Sequence, residues 1–155
     1  MKSSLNINQL SSKRSFNING YLFEYEKPLV MGILNMTPDS FYDGGRYNSI
    51  DSAISRVEGM INNGASIIDI GGCSTRPGSD IITIEEEWKR IGGIIKECSI
   101  RFKDTLFSVD TFRSEIAKRS LEEGIHIIND VSGGSLDSEM FDIISKYNRP
   151  YILMH

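Results

Sequence analysis

Polar residues stand at the ends of five short apolar runs in this chain of 155 residues. They are Asn35, Asp69, Asp110, Asn129 and His155. A buried strand that stops at a polar residue delivers that side chain to a loop-lined edge. Parallel pairing of the runs would gather these side chains on one face of a sheet. We therefore expect a single site at the carboxyl ends of the strands.

Two of the loops that follow these runs carry further candidates. The first loop, TPDSFYDGG, contains Asp43, and the second, GGCSTRPG, sets Arg76 between Thr75 and Pro77. A guanidinium offers a planar pair of donors that matches a phosphate or a carboxylate. An arginine alone is more often a solvated surface charge. Its setting after Asp-Ile-Gly-Gly makes Arg76 a candidate for binding substrate.

Structural roles compete with chemical roles at two of the strand residues. Asn35 could simply cap a turn, as Asn often does after a strand. Asp69 lies inside an apolar run. We expect it to be a buried partner for neighbouring backbone donors rather than a catalyst.

The composition limits the classes of function. The chain is 39% hydrophobic and 25% charged, which is typical of one globular domain. A net charge of −4 gives no basic stripe, so nucleic acid is not an expected partner. No apolar run is long enough to span a bilayer and no signal-like segment is present, so we expect a cytoplasmic protein without membrane contact. Cys73 and Cys98 are expected to be reduced thiols.

The pattern of elements indicates how the candidates are positioned. Residues 1–14 are polar and without period, which predicts a flexible amino terminus, and residues 15–155 form the folded unit. Alternating apolar residues around Asn19-Gly20 predict a β-hairpin over 15–26. Five apolar strands follow, separated by four amphipathic helices that we place near 50–61, 84–100, 111–121 and 140–147. Thr83 and Glu86 predict a capping box, and Ser49 is a possible N-cap.

Two α/β architectures fit this alternation. A doubly wound open sheet is complete in five strands, whereas a (β/α)₈ barrel needs eight units. The chain lacks a Gly-rich nucleotide-binding pattern after the first strand, and every strand ends in a polar residue. These two features favour part of a barrel.

Four motifs in this order resemble the dihydropteroate synthase family: ILNMTPDSFYDGG, DIGGCSTRPG, SVDT and INDVSGG. The resemblance covers essentially the whole chain but only about half of the family's barrel. It implies an α/β fold with an N-terminal hairpin, then the first five strands and four helices of a TIM-type (β/α)₈ barrel, truncated. It also implies transfer of a dihydropterin-methylene group from its pyrophosphate ester to para-aminobenzoate.

The resemblance further implies a role for each motif residue. Asn35 would hold Mg²⁺ through a neutral oxygen. Asp43 and Arg76 would be catalytic, with Asp43 stabilising a pterin-methylene cation. The pterin would contact Asp110, Asn129, Val131 and Met154, and the pyrophosphate and para-aminobenzoate would contact Phe41, Thr75, Arg76 and Pro77.

The chain departs from the family pattern in two ways. Cys73 replaces a usual glutamate, which removes a charge beside the second loop. The sequence also stops at the fifth strand, so we expect little or no activity from this chain alone. Separately, we expect the parent enzyme to be a homodimer. A pterin-dependent methyltransferase, or a non-catalytic fragment that only associates, are the alternatives.

Overall fold

The computed structural model describes residues 14–37, 46–74 and 82–154, without the side chains of residues 46–49. An antiparallel hairpin of β1 (Arg14–Ile18) and β2 (Tyr21–Tyr25) comes first. Its turn residues, Asn19 and Gly20, have φ angles of 50° and 90°. Two positive φ angles are what a two-residue turn of type I′ requires, so the predicted hairpin is confirmed. Residue 14 already belongs to β1, and residues 1–13 lie outside the described part.

A single parallel sheet follows the hairpin, and its strand order β3-β4-β5-β6-β7 is the order of the chain. The strands are β3 (Met31–Asn35), β4 (Ile67–Gly71), β5 (Leu106–Asp110), β6 (Ile127–Asp130) and β7 (Tyr151–Leu153). Four helices connect them: α1 (Arg46–Asn62), α2 (Ile84–Arg101), α3 (Ser114–Glu122) and α4 (Met140–Tyr147). The predicted alternation of strands and helices is therefore confirmed.

One face of the sheet packs against the helices. Side chains in register across β3, β4, β5 and β6, Leu34, Ile70, Val109 and Ile128, are each 0% exposed and belong to the core. They pack with buried helix residues, among them Val57, Ile91, Ile94 and Ile116. Because neighbouring residues of a strand point to opposite faces, Asn35, Asp110 and Asn129 lie on the other face of the sheet.

The strands at the two edges of the described sheet are only partly buried. Ile33 in β3 is 47% exposed and Ile152 in β7 is 37% exposed. Both strands are terminal in the strand order, so each has only one hydrogen-bonded neighbour in the described sheet. All five residues of β4, which has a strand on each side, are buried.

Two helix starts differ from the sequence prediction. The first helix begins at Arg46, so Ser49 lies inside it and is not its N-cap. The third begins at Ser114 rather than near Thr111, because the Thr111 hydroxyl is used in tertiary bonds. Asp137 caps that helix from a distant loop, accepting from the Ser114 N–H at 2.7 Å. Thr83 caps α2 as predicted, since its Oγ1 accepts from the Glu86 N–H at 3.2 Å.

A cavity of about 440 Å³ lies between the hairpin and the amino-terminal ends of the strands. Its lining is mainly apolar and includes Phe16, Tyr25, Ile67, Ile127 and Tyr151. This cavity is at the opposite end of the sheet from the polar strand ends. The hairpin thus covers the bottom of the sheet and leaves the polar edge to the loops.

Candidate functional site

One row of residues crosses all five strands at their carboxyl ends. Asn35 pairs with Gly71, Gly71 with Asp110, Asp110 with Asn129, and Asn129 with Ile152. Partners in a parallel register lie side by side on the same face, about 5 Å apart. Three of the predicted site residues, Asn35, Asp110 and Asn129, are therefore confirmed as neighbours on one edge. His155 lies outside the described residues.

Asp69 stands one step deeper on the same face, in register with Ile33 and Ser108. It is 2% exposed, as predicted for a buried structural residue. Its partners are not backbone donors, and in this respect the prediction is wrong. The Ser108 hydroxyl donates to Asp69 Oδ1, and Asn129 Nδ2 donates to Asp69 Oδ2 at 3.0 Å. Side chains from two neighbouring strands thus satisfy this carboxylate.

Asp110 occupies an environment that disfavours its charge. Its pKa is raised from 3.8 to about 7, mainly by burial and also by the nearby charges of Asp69, Glu87 and Asp130. A carboxyl group whose pKa is shifted close to 7 in this way is typical of functional sites. A ligand that donates N–H groups to Asp110 would favour its ionised form.

Two oxygens on neighbouring strands lack the donors that buried acceptors require. Within the described ranges, Asp110 Oδ1 and Asn129 Oδ1 are buried side-chain oxygens without a hydrogen-bond partner. An unpaired buried acceptor costs about 1–3 kcal/mol. The two residues are also direct partners in the β5–β6 register. The strand ends therefore present a pair of acceptors suited to a ligand edge with adjacent N–H groups.

Asn35 stands on the other side of Gly71 from Asp110. The Asn35 side chain is exposed, so its oxygen is accessible to a ligand. A Cβ placed on Gly71 would lie 3.2 Å from Asn35 Oδ1 and 3.5 Å from the Asp110 Cβ. Glycine at this position therefore avoids a close contact with the Asn35 side chain.

Asp130 organises the loop that follows β6. Its carboxylate accepts from the N–H groups of Ser132 (2.7 Å) and Gly134 (3.0 Å) and from the Tyr151 hydroxyl (2.7 Å). Its carbonyl accepts from the Met154 N–H at 3.3 Å. Val131 and Met154, the remaining predicted pterin contacts, are thus held beside the strand ends by one residue. Val131 is half-buried and Met154 is 50% exposed.

A further buried carboxylate, Glu87, lies behind the site at the start of α2. It is 0% exposed and accepts from the Thr111 hydroxyl at 2.9 Å and from Arg113 Nη1 at 2.5 Å. Arg113 also donates to the carbonyl of Ile82 at 2.5 Å, and Arg90 donates to the carbonyl of Gly72 at 3.1 Å. These bonds tie the β4 and β5 ends to α2.

Cys73, near the end of the described part of the second loop, is a half-buried thiol. Burial raises its pKa, and the charge of Glu87 adds to that increase. The thiol makes a 3.8 Å contact with the carbonyl of Ser74. The position therefore carries no charge at neutral pH.

The other predicted site residues are Phe41, Asp43, Thr75, Arg76 and Pro77, and all five lie outside the described residues. Among the residues that the structure does describe, no group of three or more His, Cys, Asp and Glu side chains could hold a metal ion. None of the helices in these same ranges is long and apolar enough to cross a membrane.

The sequence analysis did not identify three residues that support the site through hydrogen bonds, namely Glu87, Ser108 and Asp130. Ser108 has the same strand parity as Asp110, and this signal places it on the inner face. Glu87 lies four residues before the core residue Ile91, on the apolar stripe of α2. For Asp130 the signal was the turn sequence Val-Ser-Gly-Gly that follows it, since Asp commonly accepts from N–H groups two residues further on.

The fold and the row of polar strand ends define a β/α protein of the TIM-barrel type. The model of the pterin binding enzyme family matches residues 31–155 of the chain, which therefore belongs to this family. The dihydropteroate synthase of Clostridium beijerinckii is 46% identical over 142 residues, which are 92% of this chain and 50% of that protein. The folate synthesis bifunctional protein of Arabidopsis thaliana is 46% identical over 146 residues.

Solved structures that the chain resembles are also dihydropteroate synthases. The dihydropteroate synthase of Clostridium difficile, crystallised in the presence of pteroic acid, matches with a TM-score of 0.81 and 38% identity. The match covers 90% of this chain and 51% of that one. The Xanthomonas albilineans enzyme with 4-aminobenzoic acid matches with a TM-score of 0.84 and 34% identity over 92% of this chain and 52% of its own. The expected truncated barrel is confirmed in that the chain spans about half the length of such relatives.

Proposed function

We propose that the chain supplies the pterin-binding strand ends of a dihydropteroate synthase. The observation that carries this proposal is the pair of unpartnered acceptors on adjacent strands, Asp110 Oδ1 and Asn129 Oδ1. A dihydropterin presents a guanidine-like edge with adjacent N–H donors, which such a pair can bind. The names of the relatives support this choice of ligand.

The proposed reaction joins dihydropterin pyrophosphate to para-aminobenzoate. The bond between the pterin methylene carbon and the pyrophosphate oxygen breaks, and the leaving group takes both electrons. The aniline nitrogen then forms the new C–N bond and loses a proton. Asp110 and Asn129 hold the pterin ring, with Val131 and Met154 beside it, while Asp43 stabilises the positive charge that develops on the methylene carbon.

Asn35 is proposed to contribute to a Mg²⁺ site at the pyrophosphate end. Its accessible neutral oxygen fits a hard cation that keeps several waters and binds through few protein ligands. The bound ion would supply charge neutralisation to the leaving pyrophosphate.

The second loop is proposed to hold the anionic groups of both substrates. Arg76 and Thr75 offer donors for phosphate or carboxylate oxygens, and Phe41 and Pro77 offer apolar contacts for the benzoate ring. A homodimeric parent enzyme and a cytoplasmic location stay predictions from the sequence.

Calorimetric titration of the 155-residue chain with dihydropterin pyrophosphate, with and without Mg²⁺, tests this proposal. We expect saturable binding that Mg²⁺ tightens. Asp110→Asn should weaken binding by roughly tenfold or more, because it replaces one of the two acceptor oxygens with an NH₂ donor. Asp104→Asn is the matched control, because Asp104 is an exposed aspartate that lies just before β5, at the other end of the strand from Asp110. A folded chain that shows no binding would overturn the proposal.

Turnover is a separate question, because the chain spans about half of its relatives. We propose that the isolated chain binds the pterin but releases little or no pyrophosphate. A pyrophosphate-release assay with para-aminobenzoate tests this point. Turnover by the chain alone, at a rate comparable with a full-length relative, would contradict it.

Two other functions are distinguished by the same samples. A pterin-dependent methyltransferase would bind a methylated pterin and be insensitive to para-aminobenzoate. A non-catalytic fragment would associate on a sizing column as its concentration rises, without binding ligand. The identity to curated dihydropteroate synthases favours the synthase reading.

A further inference from the structure

Asp69 is a buried carboxylate that the proposed reaction does not use. It lies in the middle of β4, on the face of the sheet away from the helices and two residues before Gly71 in the row of strand ends. Its neighbours in register are Ile33 and Ser108. The carboxyl group is only 2% exposed, and burying it costs free energy that an apolar side chain would not cost. A specific role for Asp69 is therefore expected.

The contacts of Asp69 join three adjacent strands. Ser108 of β5 donates its hydroxyl to Oδ1, and Asn129 of β6 donates Nδ2 to Oδ2 at 3.0 Å. Both oxygens of the carboxyl group accept, and each does so from a side chain. The pKa of Asp69 is raised, because burial raises it by more than these two hydrogen bonds lower it.

The consequence for Asn129 is a fixed amide orientation. An isolated asparagine amide can turn over and exchange its oxygen with its nitrogen at little cost. Asp69 Oδ2 accepts from Asn129 Nδ2, so the Nδ2 end of the amide faces Asp69. Asn129 Oδ1 is left on the opposite side, buried and without a partner, beside the unpartnered Asp110 Oδ1.

We propose that Asp69 is a positioning residue that fixes the Asn129 amide with its oxygen toward the ligand. This inference rests on the proposed function and deepens it. With both oxygens facing the ligand, the site binds a heterocycle that has two adjacent N–H donors. It disfavours a ring that places an acceptor nitrogen next to Asn129. Ser108 holds the far oxygen of Asp69 and so orients the carboxylate.

A reciprocal swap of the two residues tests the proposal. Asn129→Asp sets two carboxylates against each other across β4 and β6, so it should weaken binding of dihydropterin pyrophosphate at least tenfold. Adding Asp69→Asn to that variant restores one donor and one acceptor. An acceptor again faces the ligand from position 129. We expect the double variant to recover most of the lost affinity.

Two single variants complete the set. Asp69→Leu has similar volume but accepts nothing, and we expect a loss of about tenfold or more in affinity. Ser108→Ala removes the hydrogen bond to Asp69 Oδ1 but keeps the bond between Asp69 and Asn129, so we expect a smaller loss of affinity than in Asp69→Leu. If Asp69→Leu does not fold, the swap still decides the matter.

A measurement without ligand separates this inference from the proposed function. In ¹⁵N-resolved NMR spectra, the Asn129 side-chain amide should be protected from solvent exchange relative to exposed Asn62. Asp69→Leu should shift its resonances and remove the protection, whereas Ser108→Ala should do so much less.

Three outcomes would overturn the inference: affinity within twofold of the unmodified chain in Asp69→Leu, a swap no better than Asn129→Asp, or an unprotected Asn129 amide. No pterin binding by any folded variant, with the Asn129 amide protected, would instead refute the proposed function. In that case the amide orientation is established, and only its assignment to this ligand is overturned.

Discussion

Arg113 and Glu87 form a buried ion pair in which Nη1 lies 2.5 Å from Oε2. The Glu87 side chain is 1% exposed and that of Arg113 is 11% exposed. Thr111 donates a further hydrogen bond to the same carboxylate. The pair joins the first turn of α2 to the segment after β5, immediately behind Asp110. We therefore regard it as the structural support of this part of the site.

Removing one partner of this pair should destabilise the fold strongly. Glu87→Ala leaves Arg113 buried without its counter-ion, and breaking such a pair costs about 3–5 kcal/mol. Glu97→Ala is the matched control, because Glu97 forms an exposed pair with Arg101 at 2.8 Å on the same helix. That change should cost about 0.5 kcal/mol or less. Urea unfolding of both variants measures the difference, and equal losses would contradict the assigned role of Glu87.

Asp110 should make the stability of the chain depend on pH. Its pKa is raised from 3.8 to about 7 in the folded state, so the folded chain binds more protons than the unfolded chain between these values. The stabilisation is complete below pH 3.8 and is lost as the pH rises through 7. Asp110→Asn should remove this dependence and raise the melting temperature at pH 8. Thermal melts from pH 5 to 8, with Asp104→Asn as control, measure it.

The same group should control ligand affinity in the opposite sense. Protonated Asp110 loses part of its acceptor capacity, so pterin binding should tighten as the pH rises from 6 to 8. The residual binding of Asp110→Asn should be nearly flat over this range. Calorimetric titrations of the unmodified chain and of Asp110→Asn at three pH values measure this dependence. A similar slope in that variant would show that a different group titrates.

Tyr151 should stabilise the loop after β6 through Asp130. Tyr151→Phe removes the hydroxyl that donates to Asp130 at 2.7 Å and should cost about 1 kcal/mol. Tyr147→Phe is the control, because its hydroxyl bonds exposed Glu122 at 2.6 Å. Hydrogen exchange at Ser132 and Gly134, whose N–H groups bond Asp130, should rise in Tyr151→Phe. Unchanged exchange at both amides would contradict the assigned role of the hydroxyl.

Gly71 should be needed for the space beside Asn35. Gly71→Ala places a Cβ 3.2 Å from Asn35 Oδ1, a tight contact that obliges the Asn35 side chain to move. We expect the tightening of pterin binding by Mg²⁺ to be lost, with pterin binding in the absence of Mg²⁺ nearly unchanged. Gly59→Ala in α1 meets no atom within 4 Å and should stabilise the chain by about 0.5–1 kcal/mol. Full retention of the Mg²⁺ effect in Gly71→Ala would argue against a cation at Asn35.

Local sequence signals predicted the elements that depend on neighbouring residues. Asn19-Gly20 specifies its turn through two positive φ angles, and Thr83 caps α2 through a bond to the residue three positions on. The same signals failed where distant groups compete. Thr111 is recruited by Glu87, 24 positions earlier in the chain, and α3 therefore begins at Ser114.

The sequence by itself determined the order of strands and helices, the face on which Asn35, Asp110 and Asn129 would lie, and the family. Periodicity and chain order are enough for this, because strand parity is a local property and consecutive strands joined by a helix usually pair as parallel neighbours. Only the tertiary structure decided that Asp69 accepts from Ser108 and Asn129, and that Glu87 is buried against Arg113. These partners are between 26 and 60 positions apart in the chain. No local pattern records which of many polar residues will meet when the strands and helices pack.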